Sequence, residues 1–267
     1  MHSFAQDGKL KEGKESLKTK KIKGNSNNRT SESSNNRINR RNGRFNSNIE
    51  NPFVSLFWSI TVHTFYGVFI EFPFERNHKM YNAEISNYSY KESNYGNFIY
   101  SDFTNYNRTR FDFSNTFVIE NKSLYGNNFG VNFRFLKRFA LDVTYLHLFE
   151  NVNDRYDYFA LYSGFLKYYR IRTQRFDAWF GLGAMHVGND VKRTGFGKGL
   201  GVQWFIKKPV SLSFSHKWTN INQQGVHKTK LLVNYHNRNY QISSGYEHFR
   251  IGIAKINAFS VGVGASF

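Results

Sequence analysis

The chain ends in Ala258-Phe259-Ser260-Val261-Gly262-Val263-Gly264-Ala265-Ser266-Phe267, a stretch that alternates between two kinds of side chain. Apolar residues occupy every odd position from Phe259 to Phe267, and small or polar residues occupy the even positions. A period of two is typical of a β-strand with one apolar face, because successive side chains of a strand point to opposite sides. A helical period cannot produce this run, so the chain is predicted to end in a strand.

The same alternation recurs from Pro52 onward. Phe111 and Phe113 alternate with Arg110 and Asp112, for example. The pattern predicts twelve strands, at about 54–71, 97–106, 109–120, 126–136, 139–149, 157–171, 176–187, 194–206, 210–219, 227–236, 240–250 and 257–267. Most of them are long enough to cross a bilayer, since a tilted strand needs about 9–11 residues to do so.

The connections between these strands are of two kinds. Short basic or Asn-containing turns, such as Lys137-Arg138 and Asn237-Arg238-Asn239, alternate with longer polar stretches at 151–157, 188–193, 220–225 and after Arg250. Short turns at one end and longer loops at the other are typical of outer-membrane barrels. The predicted fold is therefore all-β: a closed antiparallel transmembrane β-barrel of about 12 strands over residues 53–267. An even number of strands places both of its ends on the short-turn side.

A soluble β-sandwich is the alternative fold. The aromatic content of 18% and the bilayer-spanning strand lengths argue against it, as does the presence of only three Pro residues, since sandwiches use frequent tight loops. No stretch approaches about 18 consecutive apolar residues, which excludes a transmembrane helix. The chain has no Cys, which excludes disulfides, thiolate zinc sites and cysteine nucleophiles.

Residues 1–52 differ in kind from the rest. The first fifty residues hold 12 Lys and Arg against five Asp and Glu, and almost no apolar side chains. Such a segment buries too little surface to offset its ordering entropy, so we expect a basic arm that is disordered or ordered only by a partner. Residues 1–5 look like the remnant of a signal peptide. Nothing downstream is typical of nucleic-acid binding, although the net charge is +18.

The C-terminal strand resembles that of Gram-negative outer-membrane β-barrel proteins, which commonly finish with an aromatic residue preceded by alternating apolar positions. The resemblance covers residues 53–267 as architecture and indicates no subfamily. It implies that Phe267 is read by the outer-membrane assembly machinery. It also implies that the protein lies in the outer membrane among its lipids. The even strand number then predicts that the N-terminal arm lies with the short turns, in the periplasm.

If the apolar faces meet lipid, the opposite faces line the lumen. The inward set carries both charge signs, so we expect a polar network there, built chiefly by Arg110, Asp112, Arg134, Asp142, Asp177, Lys217, Lys228, Lys230 and Glu247. The same alternation also places Ser59, Thr61, His63, Glu120, Asn132, Thr144, Asn234, Gln241 and Ser243 inside. Glycines at 181, 183, 195, 197, 199 and 201 predict a stripe of small inward residues, which either makes room for bulky neighbours or widens the lumen.

Two patterns suggest chemistry. Ser215-His216-Lys217-Trp218-Thr219-Asn220 faintly resembles an element of lipid A deacylases, but Trp218 stands at the nucleophile position and His216 is predicted to face lipid. Two loops could supply metal ligands, one through His147, Glu150 and Asp154 and the other through His186, Asn189 and Asp190. Polar loops produce such clusters by chance, so no catalytic, cofactor or metal site is assigned.

These observations favour a non-enzymatic outer-membrane barrel. It would act as a small porin-like channel or as a structural or accessory subunit of an envelope complex, with the basic arm contacting a periplasmic protein partner. A lipid-modifying hydrolase of the same membrane and a soluble β-sandwich binding module remain the alternatives.

Overall fold

The computed structural model describes residues 8–18, 83–91, 95–100 and 109–267. All of them belong to one unit, Met1–Lys20 with Pro73–Phe267, and the second unit, Lys21–Phe72, lies outside the described residues. The predicted strand at 54–71, the inward positions Ser59, Thr61 and His63, and the signal-peptide remnant also lie outside them. No described helix is long and apolar enough to cross a membrane.

The described chain contains one helix and twelve strands. The helix α1 spans Lys9–Lys18. The strands are β1 (Ala83–Ile85), β2 (Phe98–Tyr100), β3 (Thr109–Ile119), β4 (Leu124–Phe135), β5 (Phe139–Val152), β6 (Arg155–Arg172), β7 (Phe176–Val187), β8 (Arg193–Lys207), β9 (Val210–Ile221), β10 (Gln224–Asn237), β11 (Tyr240–Ile251) and β12 (Ala254–Ser266).

Strands β3 to β12 form a closed antiparallel barrel, each paired with its neighbour in sequence. The barrel closes where β12 pairs with β3, through a register that runs only from Phe259 opposite Ile119 to Ser266 opposite Asp112. The prediction of a closed barrel is confirmed. The described barrel has ten strands rather than about twelve. β2 pairs with β1 in a separate two-stranded sheet instead of joining the wall, and the predicted strand at 54–71 is not among the described residues.

The two ends of the barrel are less different than the sequence suggested. One end, here called the turn end, carries residues 136–138, 173–175, 208–209 and 238–239 together with Phe267. The other, the helix end, carries residues 120–123, 153–154, 188–192, 222–223 and 252–253. The predicted long loops at 151–157 and 220–225 are mostly strand. Asn153 and Asp154 have φ of 52° and 60°, and Asn222 and Gln223 have φ of 49° and 65°. Two consecutive positive φ angles are the geometry of tight two-residue hairpins.

The polar composition of these strand ends explains the difference. A strand that continues beyond an apolar band keeps its hydrogen-bonded ladder but no longer needs apolar side chains on its outer face. Alternation therefore fades while the strand goes on, and the sequence looks like a loop.

The outer wall of the barrel carries an apolar band between two aromatic girdles. Rings form a chain across β3 to β7 near the turn end, beginning with Phe111 and Phe133, whose centroids are 4.4 Å apart, and ending with Tyr168 and Phe180 at 5.4 Å. Near the helix end a second set includes the stacked pair Tyr145 and Tyr162 at 4.8 Å. Between the girdles lie exposed residues such as Leu141 and Val143. Aromatic girdles on both sides of an apolar band are typical of transmembrane barrels.

The helix α1 lies at the helix end and closes it. Leu10, Gly13, Lys14 and Leu17 are its buried residues, a spacing that places them on one face. Leu10 and Leu17 belong to the same apolar cluster as inward residues of the wall such as Leu148. The sequence predicts an arm that is disordered or ordered only by a partner, and the structure shows that residues 9–18 of it form a helix whose leucines pack against the barrel.

The position of α1 also differs from expectation. The even strand number predicts an arm on the short-turn side, whereas α1 packs at the opposite end of the barrel. The chain between residues 18 and 83 is long enough to connect either end, since an extended residue spans about 3.3–3.6 Å. An even number of strands therefore determines at which end of the barrel the first strand begins and the last strand finishes. It does not determine at which end the arm lies.

Candidate functional site in the barrel lumen

The lumen is divided into an apolar half and a polar half. Toward the helix end, the inward residues of the wall pack as a hydrophobic core; its members include Val118, Leu146, Phe159, Phe165, Met185, Val226, Phe249 and Ile256. Toward the turn end, most inward residues are polar or charged, and a small apolar cluster that includes Ala140 and Tyr169 packs against β1 and β2. The expectation of a hydrophilic interior thus holds for one half only. In the apolar half the inward positions include small residues such as Gly126 and Ala258. These still alternate with apolar residues on the outer face, so the sequence pattern does not distinguish the apolar half from the polar half.

All nine residues expected to form the polar network point into the barrel. Eight of them line one cavity of about 230 Å³, and Glu247, which is fully buried, lies 3.1 Å from the lining residue Lys230. The eight are Arg110, Asp112, Arg134, Asp142, Asp177, Lys217, Lys228 and Lys230. Asn132, Thr144, Asn234, Gln241 and Ser243 line the same cavity. Glu120 does not, because it lies in the turn after β3 and accepts hydrogen bonds from the Lys9 ammonium and the Asn257 amide at 2.7 and 3.0 Å.

A cluster around Asp112 occupies the turn end of the lumen. One carboxylate oxygen of Asp112 accepts from Arg110 Nε at 2.5 Å and the other from Arg134 Nε at 3.2 Å. Ser266 Oγ donates to Asp112 at 2.7 Å and accepts from Arg110 Nη2 at 3.0 Å. The network therefore joins β12, β3 and β4, which meet at the closure of the barrel.

The segment that contains β1 and β2 closes the turn end. Asn97 donates to Asp177 Oδ2 at 2.7 Å and to Gln203 Oε1 at 3.0 Å, and its own Oδ1 accepts from Arg110 at 3.0 Å. Tyr90 is buried against Phe205 and donates its hydroxyl to the Val210 carbonyl at 2.5 Å. Burial raises the pKa of Tyr90 to about 12, so this hydroxyl remains a donor throughout the physiological range.

A second cluster, centred on Asp142, lies deeper in the lumen. Its two carboxylate oxygens pair with Lys167 and Lys217 on opposite sides. Lys167 also lies over the Trp179 ring, 4.4 Å from its centroid. One carboxylate thus balances two ammonium groups, and the cluster keeps a net positive charge.

Lys228 is a buried cation of this region, only 3% exposed. Within the described ranges its Nζ donates to the side-chain carbonyl of Asn128 at 2.7 Å. Its neighbour across the β9–β10 ladder is Lys217, another inward cation. Like charges directly opposite each other destabilise a sheet, so a further counter-charge at this position would be stabilising.

The glycine stripe makes room for bulky inward side chains. Gly181 pairs with Gly199 and Gly183 with Gly197 across β7 and β8. A Cβ added at Gly201 would lie 2.7 Å from the Trp179 ring, and one at Gly197 would lie 2.7 Å from Phe165 Cζ. The half of the stripe on β8 from Gly197 to Gly201 therefore makes room for the rings of Phe165 and Trp179, which favours the first of the two interpretations.

The docked helix α1 is anchored by charged and polar contacts. The carboxylate of Glu150 accepts the free backbone N–H groups of Lys9 and Leu10 at 3.0 and 2.7 Å, which satisfies the N-terminus of the helix. At the other end, Asn222 Nδ2 donates to the Leu17 carbonyl at 2.6 Å. Gly13 allows close approach, because an added Cβ would lie 2.9 Å from the Ile251 carbonyl oxygen.

Lys14 forms the central ion pair of this interface. It binds Asp157 and donates to Asp190 Oδ2 at 3.1 Å. Burial by itself would lower the pKa of Lys14, but the hydrogen bonds to the two aspartates outweigh it and hold the pKa above its ordinary value. The hydrogen bond from Lys14 lowers the pKa of Asp190.

The residues considered for catalysis and metal binding are engaged elsewhere. His216 faces outward, hydrogen-bonded through Nδ1 to Thr229 Oγ1 at 2.8 Å, while its neighbour Lys217 points into the lumen. His147 lies on the outer wall with its ring 4.2 Å from that of Phe149. Glu150 and Asp190 serve α1. Over the described ranges, no group of three or more His, Asp or Glu side chains is arranged to hold a metal ion.

A serine–histidine pair inside the lumen was not anticipated. Ser211 Oγ and His236 Nε2 are 2.8 Å apart, and Ser211 also accepts from Gln203 and Asn234 at 3.2 and 3.3 Å. With two amides donating to it, the hydroxyl must direct its own proton to the imidazole. Ser211 is fully buried, so it has no surface from which to attack a substrate, and the pair is a structural one.

The sequence missed three further components for identifiable reasons. Lys167 lies inside a predicted strand at an inward position, so alternation alone could have found it. Asn97 was assigned to a wall strand, and nothing local distinguishes that from a strand inside the barrel. α1 buries only two leucines, too few to stand out in a charged segment.

Comparison with known proteins adds architecture only. No protein-family model and no curated protein matches the chain. Among solved structures it is similar to the NanC porin, with 9% identity and a TM-score of 0.40 over 58% of this chain and 98% of NanC. It is also similar to Ail of Yersinia pestis, with 13% identity and a TM-score of 0.34 over 59% and 99% of the two chains. An outer-membrane channel of Pseudomonas putida F1 is 9% identical, with a TM-score of 0.36 over 60% of this chain and 95% of the channel.

At this level of similarity the three structures identify no family for the chain. Its own architecture is the closed antiparallel barrel of β3 to β12.

Proposed function

We propose that the protein is an integral outer-membrane barrel without catalytic activity, whose closed lumen suits it to be a structural or accessory subunit of an envelope complex rather than a channel. The observation that carries this proposal is the occupied lumen. α1 closes one end, the β1–β2 segment closes the other, and an apolar core fills the half next to the helix.

The membrane location is supported by the outer wall. Side chains such as Phe129, Val143 and Val263 are exposed around the described barrel. Soluble monomers rarely expose contiguous apolar patches larger than a few hundred Å². From Phe139 to His147 the outer face of β5 spans about 20 Å along the barrel axis, given a rise of about 3.3 Å per residue and a tilt of about 40°. That height suits a thin outer membrane.

The absence of catalysis is supported by the contacts of the candidate residues. His216 has a threonine partner and faces outward, and Ser211 is buried. A hydrolase needs a nucleophile that is both activated and accessible. We expect the rest of the basic arm to contact a periplasmic partner, since the apolar face of α1 is already used by the barrel.

Conductance tests the channel against the closed barrel. The full chain, refolded in detergent and inserted into planar bilayers, is expected to give no steady unitary currents. A matched porin of known conductance controls for insertion. Steady, reproducible current steps from the full chain would contradict the closed lumen, whereas migration in gels that fails to shift on heating would contradict the membrane barrel itself.

A further inference from the structure

The polar half of the lumen contains more positive than negative charge. The cavity is lined by six cations and three carboxylates: Arg110, Arg134, Lys167, Lys217, Lys228 and Lys230 against Asp112, Asp142 and Asp177. Adding Glu247, the partner of Lys230, still leaves two positive charges in excess. A buried charge without a partner costs far more than an exposed one, so the imbalance calls for a counter-ion.

The excess concentrates on neighbouring strands at one level of the lumen. Lys217 on β9 lies directly opposite Lys228 on β10, and Lys230 follows two residues later on the same inward face. Lys217 shares the carboxylate of Asp142 with Lys167, and Lys230 pairs with Glu247. Lys228 donates to the Asn128 carbonyl, which carries no charge. An ammonium group has three donors, so two of those on Lys228 remain for another acceptor.

We propose that this cavity binds one small oxyanion, such as phosphate, sulfate or a short carboxylate, with Lys228 as its principal ligand and Lys217 and Lys230 beside it. The cavity volume of about 230 Å³ admits such an ion together with several waters. Hydroxyl groups that could donate to its oxygens line the same space, among them Thr116 and Ser215. The ligand is a free ion rather than a lipid phosphate, because the barrel wall separates the cavity from the bilayer.

Equilibrium dialysis of the folded full chain in detergent, with radiolabelled phosphate at constant ionic strength, measures the binding directly. We expect saturable binding of about one phosphate per chain, with sulfate and then acetate as competitors and chloride much weaker. The Lys228→Met variant is expected to bind at least about tenfold more weakly, which is the effect of losing one charge-assisted hydrogen bond. Lys198→Met, on the exposed outer face of β8, is the control and should bind like the wild type.

A second variant tests the same site in case Lys228→Met does not fold. Asn128→Asp would place a carboxylate where the present amide accepts from Lys228 at 2.7 Å. This internal counter-charge should abolish phosphate binding and, in chloride buffer, raise the temperature at which the folded band is lost. Phosphate binding that is unchanged in Lys228→Met or Asn128→Asp would overturn the proposal, as would no saturable binding by the wild type. None of these outcomes depends on whether the barrel conducts.

Discussion

The alternation in the sequence predicts whether each side chain of a strand faces inward or outward. It does not predict which residue that side chain contacts. Every odd residue of β12 from Phe259 to Val263 faces outward, as the pattern in the sequence predicted, and so does His216 on β9. The period of two is a property of the extended backbone and needs no knowledge of the fold. Which cation meets which carboxylate depends on register and barrel closure. The sharing of Asp142 by Lys167 and Lys217 could therefore not be predicted.

At the scale of residues, docking of α1 should depend on pH at both extremes. The raised pKa of Lys14 means that its contribution is complete below its ordinary value of 10.5 and is lost as the pH rises beyond the raised value. The lowered pKa of Asp190 means that its contribution is present above 3.8 and is lost as the pH falls through the lowered value. Docking should therefore be strongest between about pH 4 and pH 10.

Spin-label mobility measures this dependence. The chain has no Cys, so a single Cys at the exposed position Glu12 can carry a nitroxide. The label should become more mobile below and above the window. In a Lys14→Met background the mobility should be higher and nearly independent of pH. A flat profile in the protein with Lys14 would mean that the ion pairs do not hold the helix.

Elements were predicted well where a periodic pattern is long. Ten of the twelve predicted strands are wall strands, and each of their ends lies within three residues of the predicted one. The predicted strand at 97–106 failed because a three-residue strand inside a barrel uses the same residue types as one in its wall. α1 has only ten residues and its stability comes from packing, which local propensity does not report.

Removing α1 should weaken the barrel without preventing its assembly. A chain that lacks residues 1–20 keeps all ten wall strands but loses Leu10 and Leu17, each worth roughly 1.5–3 kcal/mol when fully buried. Heating followed by gel migration should show loss of the folded band at a temperature several degrees lower. The double variant Leu10→Ser with Leu17→Ser should behave like the deletion. Failure of the deleted chain to reach the folded form would show that α1 is needed for assembly.

At the scale of the whole molecule, the closed barrel followed from the sequence and the closed ends did not. Strand length, even spacing and the terminal pattern all agree on a barrel. Whether a lumen is open depends on segments that lie inside it, and their composition is that of ordinary polar connections. The tight hairpins of the helix end were hidden for the same reason, because polar strand ends look like loops.

The C-terminal residue provides a test of assembly. Phe267 exchanges backbone hydrogen bonds with Phe111 at 2.8 Å in each direction, while its side chain is 61% exposed on the outer wall. The change Phe267→Ala keeps these backbone hydrogen bonds, so refolding in detergent should be nearly unchanged. It removes the aromatic side chain that we expect the assembly machinery to recognise, so the folded fraction in cells should fall. Phe259→Ala is the matched control, since Phe259 lies on the same strand and is 56% exposed. Equal effects of the two changes in cells would remove any special role for Phe267.

The short register between β12 and β3 has a consequence for biosynthesis. These two strands are the farthest apart along the chain of all paired neighbours in the wall, and β12 is the last of the ten wall strands to be synthesised. Until β12 pairs, the other nine wall strands have two unpaired edges, one on β3 and one on β11. Whatever shelters the nascent chain must protect both edges at once, and the seam that it seals last is also the place where the finished wall would part most readily.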